Sequence, residues 1–345
     1  MQKNDLQNLQ DRLQIGGIPF AFWSLPGSKN WEGIAQNDKR FDSFDASRSE
    51  GFIIKGFNDD QKIRLIRSDL RFDSENLDFD DDLDYSNGKS IELPKEISQD
   101  EYLQQCRSFI DEINTKTVEK VVLSRVKKEV FKNKAAHLFL RLVDEYPAAM
   151  VFMYFVEDHL WIGATPETLL TIEGKNFETM ALAGSRRTGG KYDWSRKEIE
   201  EQAYVERHIE KQLKKHNIEF KTKGPDTIKA GPIEHLCTKF KGQFEESKFL
   251  DVLNDLHPTP AVCGIPVEAA KEMIERMESH KRLDYTGFIG PVSKIKKQLF
   301  VNLRSAMIVN HSLYLFLGGG ITKDSIPEEE WKETELKAET LLRMM

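Results

Sequence analysis

The sequence predicts an α+β protein, with antiparallel sheets carrying helices on their outer faces. Two observations predict it. Short β-branched and aromatic runs outnumber the helical patterns, and most of those runs follow one another with only turns between them. That ordering favours antiparallel pairing with helices packed outside.

In chain order, Ile18–Trp23, Phe52–Phe57 and Ile63–Ile66 read as strands within residues 1–72, and no motif there carries chemistry. Asp73–Asn87 (DSENLDFDDDLDYSN) is acidic and poor in large aliphatics, so it reads as an exposed loop. It lacks the glycine and closing glutamate of a calcium-binding loop. Ser98 and Glu101 form a capping box ahead of Leu103, Cys106, Phe109, Ile110 and Ile113, one face of a helix. Strands follow at Lys120–Arg125, Met150–Val156, Leu160–Ala164 and Thr168–Ile172, and residues 181–185 read as a strand ending in a tight glycine turn. A second capping box, Ser195 with Glu198, opens a helix to about Lys215 whose apolar side holds Ile199, Ala203, Ile209 and Leu213. Leu250–Leu256 reads as a short helix. His257–Gly264 reads as a loop whose path two prolines fix. Pro266 begins a helix to about Glu278, and Leu299–Val309 reads as one strand running through Arg304.

The C-terminal stretch is richest in possible chemistry. Leu313–Leu317 reads as a buried strand, Gly318, Gly319 and Gly320 as a turn, and Ser325 as the N-cap of a helix with Pro327 just inside it. Glu330, Glu333 and Lys337 then share one helix face. Such a strand, turn and helix can hold a metal and an anionic ligand together, and can equally be an ordinary solvated face after a turn.

Composition bounds the function. At 345 residues the chain suffices for one large domain or two ordinary ones. A hydrophobic fraction of 39% and a charged fraction of 31% describe a globular protein, and the formal charge of -7 argues against nucleic acid as a partner. An anionic small molecule therefore needs local positive charge or a metal. No apolar run reaches membrane-spanning length and the N-terminus has no signal-peptide core, so no membrane association is expected. Cys106, Cys237 and Cys263 are widely spaced, which suits a reducing cytoplasm and argues against a disulfide framework or a structural zinc.

Eight segments in order, KVVLSR, TPETLL, ALAGSRR, SRKEIEEQ, LHPTPAVCG, DYTGFIG, LRSAMI, and GGGI followed by EEEWKETELK, resemble the chorismate-utilising enzymes, and within them the isochorismate synthases. The resemblance runs from about Ser98 to the C-terminus. It implies one large α+β domain of two stacked antiparallel sheets, with residues 1–95 a variable N-terminal part and 96–345 the chorismate-binding catalytic region. The implied reaction is the reversible, Mg²⁺-dependent addition of water at C2 of chorismate with loss of the C4 hydroxyl. It needs a base and an acid.

By this resemblance Lys120 looks like the base and Glu167 the acid, which requires both pKa values to move toward neutrality through burial. From the residues alone, Lys120 reads as a surface lysine on a strand and Glu167 as a turn carboxylate. Glu201 and Glu333 occupy the family's metal-ligand positions, with Glu330 beside them, and Mg²⁺ takes hard oxygen ligands. Lys337, with backbone N–H groups at Gly184 and Ser185, is implied for the ring carboxylate. Arg304, Tyr285 and backbone N–H groups around Gly318 and Gly320 are implied for the enolpyruvyl carboxylate, which a planar guanidinium can grip with two hydrogen bonds. His257 and Ala261 are implied to line the site, although a packed, hydrogen-bonded histidine fits the residues as well.

Three positions narrow the activity. Lys120 stands where the ammonia-using relatives usually carry glutamine, so no glutaminase subunit is expected. Ala183 stands where aminodeoxychorismate synthases carry a nucleophilic lysine. The HPTPAVCG loop looks like that of isochorismate synthases and unlike that of salicylate synthases, the alternative, which go on to eliminate pyruvate. Gly319 replaces the usual alanine of Gly-Ala-Gly. The family leans monomeric, and its product serves either menaquinone or catechol siderophore synthesis.

Overall fold

The computed structural model describes residues 3–40, 42–46, 50–58, 60–77, 92–115, 118–189, 193–231 and 233–345. Most of the acidic segment read as an exposed loop, residues 78–87, lies outside them.

The strands form two sheets of nine, with every pairing antiparallel among the described residues. One runs Gly264–Ile265, Lys120–Val130, Ser312–Thr322, Ser305–Val309, His159–Thr165, Met150–Val156, Phe20–Ser24, Glu32–Ala35, Leu70–Asp73. The other runs Phe220–Ala230, Ile233–Gln243, Asn176–Arg187, Thr168–Glu173, Lys296–Val301, Phe288–Val292, Gly51–Lys55, Arg64–Arg67, Asp42–Ser43. They face each other across an aromatic layer that includes Trp23, Phe52, Tyr154, Trp161, Phe300 and Phe316. Trp23 meets Phe52 at 5.4 Å between ring centroids, and Phe52 meets Tyr154 at 6.1 Å, so rings from both sheets interlock. Each fully buried ring of this kind is worth roughly 2–3 kcal/mol relative to exposure.

Helices cover both outer faces, as the sequence predicts. Lys3–Ile15 and Ala135–Glu145 pack on the first sheet through Leu6, Leu9, Leu13, Phe139 and Leu142. Gln99–Thr115 and Val267–Met277 cover Val121, Leu123 and Ile321 of the same sheet. Arg196–Lys215 packs on Ala181 and Ala183 of the second sheet through Val205, Ile209 and Leu213. The Ser98–Glu101 capping box is present, with the Ser98 N–H donating to Glu101 Oε2 at 2.7 Å and the Glu101 N–H to Ser98 Oγ at 3.3 Å.

Several elements differ from the sequence reading. The helix Lys3–Ile15 was not expected: its buried face mixes Leu6, Leu9 and Leu13 with Gln7 and Gln10, and the two glutamines bond each other at 2.6 Å, so its apolar signal is diluted. Ala135–Glu145 and the hairpin of Phe220–Ala230 with Ile233–Gln243 are likewise additions. Phe220–Ala230 is an edge strand, largely exposed, carrying Lys221, Lys223, Lys229 and Pro225, and charge and proline on an edge discourage further pairing. Ile199 does not belong to the buried side of its helix; it is 52% exposed. Ser195 is the N-cap there, but its side chain contacts Glu198 and makes no capping bond to the backbone.

The three C-terminal glycines are not a turn. Ser312–Thr322 continues through them, Gly318, Gly319 and Gly320 pairing with Ser124, Leu123 and Val122. Ser325 is not the cap of the final helix, Pro327–Leu342, whose N-cap is Ile326. The Ser325 hydroxyl instead donates to Glu330 Oε1 at 2.7 Å and accepts the Thr322 N–H at 3.0 Å.

Leu299–Val309 is two strands in different sheets, Lys296–Val301 and Ser305–Val309, with Arg304 between them in the left-handed region at φ 49. The chain makes the same change between His159–Thr165 and Thr168–Glu173, with Glu167 in the gap. The two crossings lie side by side, because Ser305 pairs with Gly163 in one sheet and Phe300 with Thr168 in the other. Backbone and side chain stitch them together. The Val301 N–H donates to Glu167 O at 3.0 Å, Thr165 Oγ1 to Val301 O at 2.7 Å, and the Ala164 N–H to Arg304 O at 3.2 Å.

Candidate active site

The side-by-side crossings set Glu167 and Arg304 into one cavity of ≈ 80 Å³. Lys120, from the first residue of its strand, enters the same cavity, as do Glu201 from the helix Arg196–Lys215 and Glu333 and Lys337 from the final helix. Gly184, Ser185, Ala261, Tyr285, Gly318 and Gly320 complete the predicted residues that line it. His257 and Glu330 do not line it. His257 is packed edge-on to Phe288 at 5.2 Å, with Nε2 2.8 Å from Thr286 O, and so takes the packed form that its residues also allowed.

The glycines make room. A Cβ on Gly320 would stand 2.4 Å from Glu201 Oε1 and 2.6 Å from Lys120 Cε, and one on Gly318 2.9 Å from the Tyr285 hydroxyl. Without side chains, this strand lets the charged groups of neighbouring elements lie over its backbone.

The crossings carry charge in an unusual state. Glu167 is 2% exposed, and burial pushes its carboxyl up to about 8, against the lowering influence of Thr259 at 3.5 Å and of Lys120 and Arg304. Arg304 is buried too, and among the described residues no carboxylate pairs with it. Burial lowers its guanidinium to about 10. Its partners are Thr340 Oγ1 at 3.3 Å and His235 Nε2 at 3.2 Å. A buried cation without a counter-ion is costly, so this one is suited to an incoming anion.

Another wall is built of ion pairs, of which Lys120, Glu201, Glu333 and Lys337 line the cavity while Lys197 and Glu330 lie outside its lining. Lys120 Nζ meets Glu201 Oε1 at 2.8 Å, Lys337 meets Glu333 at 2.6 Å, and Lys197 meets Glu330 at 2.6 Å. Lys337 also donates to Gly318 O at 2.8 Å. Burial raises the Glu330 carboxyl, and the Glu333 charge adds to it. For Glu333 burial acts the same way, but Lys337 and then Lys197 and Lys120 outweigh it and hold the group below its ordinary value. With each carboxylate turned to a lysine, no three of His, Cys, Asp or Glu among the described residues converge as a metal cluster. The donor set nevertheless fits Mg²⁺: three hard carboxylates, one of them with a buried oxygen, Glu330 Oε2, that has no hydrogen-bond partner.

Two functional neighbours were missed from sequence. His235 sits on a strand absent from that reading. It is buried, and burial first, then Arg304, lower it to about 3, so it is a neutral imidazole. Nδ1 stands 2.6 Å from Gly184 O and must donate there, which leaves Nε2 to accept from Arg304. Lys197 lies one helical turn before Glu201, so the i, i+4 spacing within SRKEIEEQ could have found it.

Residues 51–345 match the family described as "Chorismate binding enzyme". The chain belongs to the chorismate-binding enzymes. Among curated relatives, isochorismate synthase MenF of Bacillus subtilis is 30% identical over 271 residues, covering 73% of this chain and 57% of that protein. Isochorismate synthase EntC of Escherichia coli K12 is 31% identical over 247 residues, covering 67% and 63%. The matched stretch thus spans less than two thirds of either relative. The solved structure of MenF, the menaquinone-specific isochorismate synthase from Escherichia coli, aligns with a TM-score of 0.79 at 21% identity, over 94% of this chain and 88% of that one. At that identity the likeness speaks for the fold, and it bears out the expected pair of stacked antiparallel sheets in a single chorismate-binding architecture.

Proposed function

We propose that this chorismate-binding enzyme is an isomerase that interconverts chorismate and isochorismate by adding water at C2 and expelling the C4 hydroxyl. The observation that carries this reading is the pairing, in one cavity, of a buried carboxyl that keeps its proton near neutral pH with a buried guanidinium that has no carboxylate partner among the described residues. The first can donate a proton to a leaving hydroxyl, and the second can receive a carboxylate. Lys120 is the base that takes the proton from the attacking water. Glu167 gives its proton to the C4 oxygen and recovers one when the reaction runs backward. Arg304, held by His235 and Thr340, grips the enolpyruvyl carboxylate, with the Tyr285 hydroxyl and backbone N–H groups near Gly318 and Gly320 completing that end. Ala261 bounds the ring pocket. Lys337, Gly184 and Ser185 serve the ring carboxylate.

Glu201 and Glu333, with Glu330 beside them, would hold Mg²⁺, which would supply positive charge to neutralise the ring carboxylate. The relatives' names support the same activity, and Lys120 supports water rather than ammonia as nucleophile, with no glutaminase subunit.

A proton NMR time course with chorismate, with and without Mg²⁺ and with pyruvate assayed in the same tube, tests the proposal. A Mg²⁺-dependent mixture of chorismate and isochorismate without pyruvate is the expected result. Salicylate with stoichiometric pyruvate, or unchanged chorismate, overturns it.

A further inference from the structure

The cavity that holds the reactive groups is small. At ≈ 80 Å³ it falls well below the roughly 300–1,000 Å³ of ordinary ligand sites, and the Lys120–Glu201 and Lys337–Glu333 pairs occupy the space around it. A second cavity of ≈ 980 Å³ adjoins it between the sheets, and the two share Pro166 and Arg304. Its walls are the inner face of the second sheet, at Met180 and Phe300, the turn Tyr146–Ala149, and the end of the final helix, at Thr340. None of the lysine–carboxylate pairs of the reactive site lines it.

Its charge is distinctive. Arg187, Lys229, Lys239 and Arg343 line it together with Arg304, against Glu145 and Glu178. Glu178 is shared by Lys239 at 3.1 Å and Lys241 at 2.6 Å, and Arg187 and Arg343 share the one carboxylate of Glu339. A local excess of positive charge therefore rims a concave space of a chain whose formal charge is -7. Such a space focuses field lines and raises the local concentration of anions.

We propose that this cavity is the entry route for a dicarboxylate substrate, a cationic vestibule that ends on Arg304. The proposal rests on the reading of the site as a chorismate isomerase, chorismate being a dianion with carboxylates at both ends. One carboxylate is drawn in by the vestibule cations and handed to Arg304, which faces both spaces. The ring then passes Pro166 into the reactive site, displacing the side chains that crowd it.

The test closes the route reversibly. Ala148 is exposed and lines the vestibule, and the three native cysteines are buried, so Ala148→Cys can be labelled selectively with a bulky methanethiosulfonate. Lys132→Cys, exposed and outside the vestibule, is the control. The expected result is loss of kcat/KM for chorismate on labelling Ala148→Cys, full recovery on adding reductant, and no effect of labelling Lys132→Cys. Lys229→Glu should also slow chorismate association in stopped flow by about three- to tenfold at low salt, with the gap closing at high ionic strength and kcat unchanged. Labelled Ala148→Cys with wild-type kcat/KM, together with association in Lys229→Glu as fast as in the wild type at low salt, overturns the vestibule and means that substrate enters elsewhere. If the unmodified protein binds chorismate without turning it over, the reaction reading fails and the label's effect on association rate still decides the route. If it neither binds nor turns over chorismate, both fall.

Discussion

The crossings at Glu167 and Arg304 and the wall formed by Glu201, Glu330 and Glu333 handle buried charge in opposite ways. At the wall every carboxylate has a lysine within 2.8 Å. At the crossings the carboxyl is neutralised by keeping its proton, and the guanidinium is left with a neutral histidine and a hydroxyl. The wall's carboxylates, apart from the unpartnered Glu330 Oε2, are already held by lysines and must exchange partners to act. The crossings are unsatisfied and gain by meeting a ligand. The proposed proton donor and anion receptor suit the second kind of place, and the proposed metal ligands the first.

The sharpest way to break the comparison is Lys120→Ala, which removes the member of the wall assigned to the chemistry. Turnover should fall by roughly 10²–10⁴-fold, while chorismate affinity by calorimetry stays within a few-fold. Wild-type turnover in that variant would remove Lys120 from the mechanism.

Glu167→Gln tests the crossings through stability. A carboxyl raised to about 8 in the folded state binds more protons than the unfolded chain at every pH between its ordinary value of 4.5 and 8. Its contribution is therefore complete below pH 4.5 and is lost as pH rises toward 8, a decline on the order of a few kcal/mol. Denaturant unfolding across that range should show the decline in the wild type and a flatter profile in Glu167→Gln. Parallel profiles would mean that the group is ionised in the folded protein.

Arg304→Lys keeps the charge at the crossings but loses the two-pronged grip. KM should rise roughly tenfold to a hundredfold, more than kcat falls, in steady-state kinetics. An unaltered KM would leave the enolpyruvyl carboxylate without its receptor. The smallest effect belongs to the wall. Glu333→Gln should shift the Mg²⁺ concentration for half-maximal rate by about tenfold, and an unchanged Mg²⁺ dependence would take Glu333 out of the ligand set.

The contrast also explains what could be read from sequence. Glu330, Glu333 and Lys337 were legible as one helix face because periodicity is local, and Glu201 likewise lies within a helix whose bounds were found to within a residue or two. The crossings were not legible. Nothing in Leu299–Val309 announces a change of sheet at Arg304, since an apolar run broken only by Asn302, Arg304 and Ser305 still reads as one strand and the left-handed turn falls on an arginine with no glycine to mark it. The three glycines misled in the other direction: they read as a turn, but they are strand residues, and Gly318 and Gly320 are kept bare for Tyr285, Lys120 and Glu201. Only the family resemblance singled out Glu167 and Arg304 before the structure placed them together. His235 escaped both routes, because its edge hairpin carries too much lysine, proline and glycine to look like a strand.

The bonds that stitch the two crossings have a mechanical consequence. Val301 donates to Glu167 O, Thr165 donates back to Val301 O, and Ala164 donates to Arg304 O, so the sheets are riveted where the reactive groups sit. Sliding or hinging one sheet against the other would tear those rivets out before it widened the pocket. Adaptation to a ring must then come from side chains swinging on a rigid frame, and the Val301 amide should be among the slowest in the protein to exchange with solvent, with or without a ligand bound.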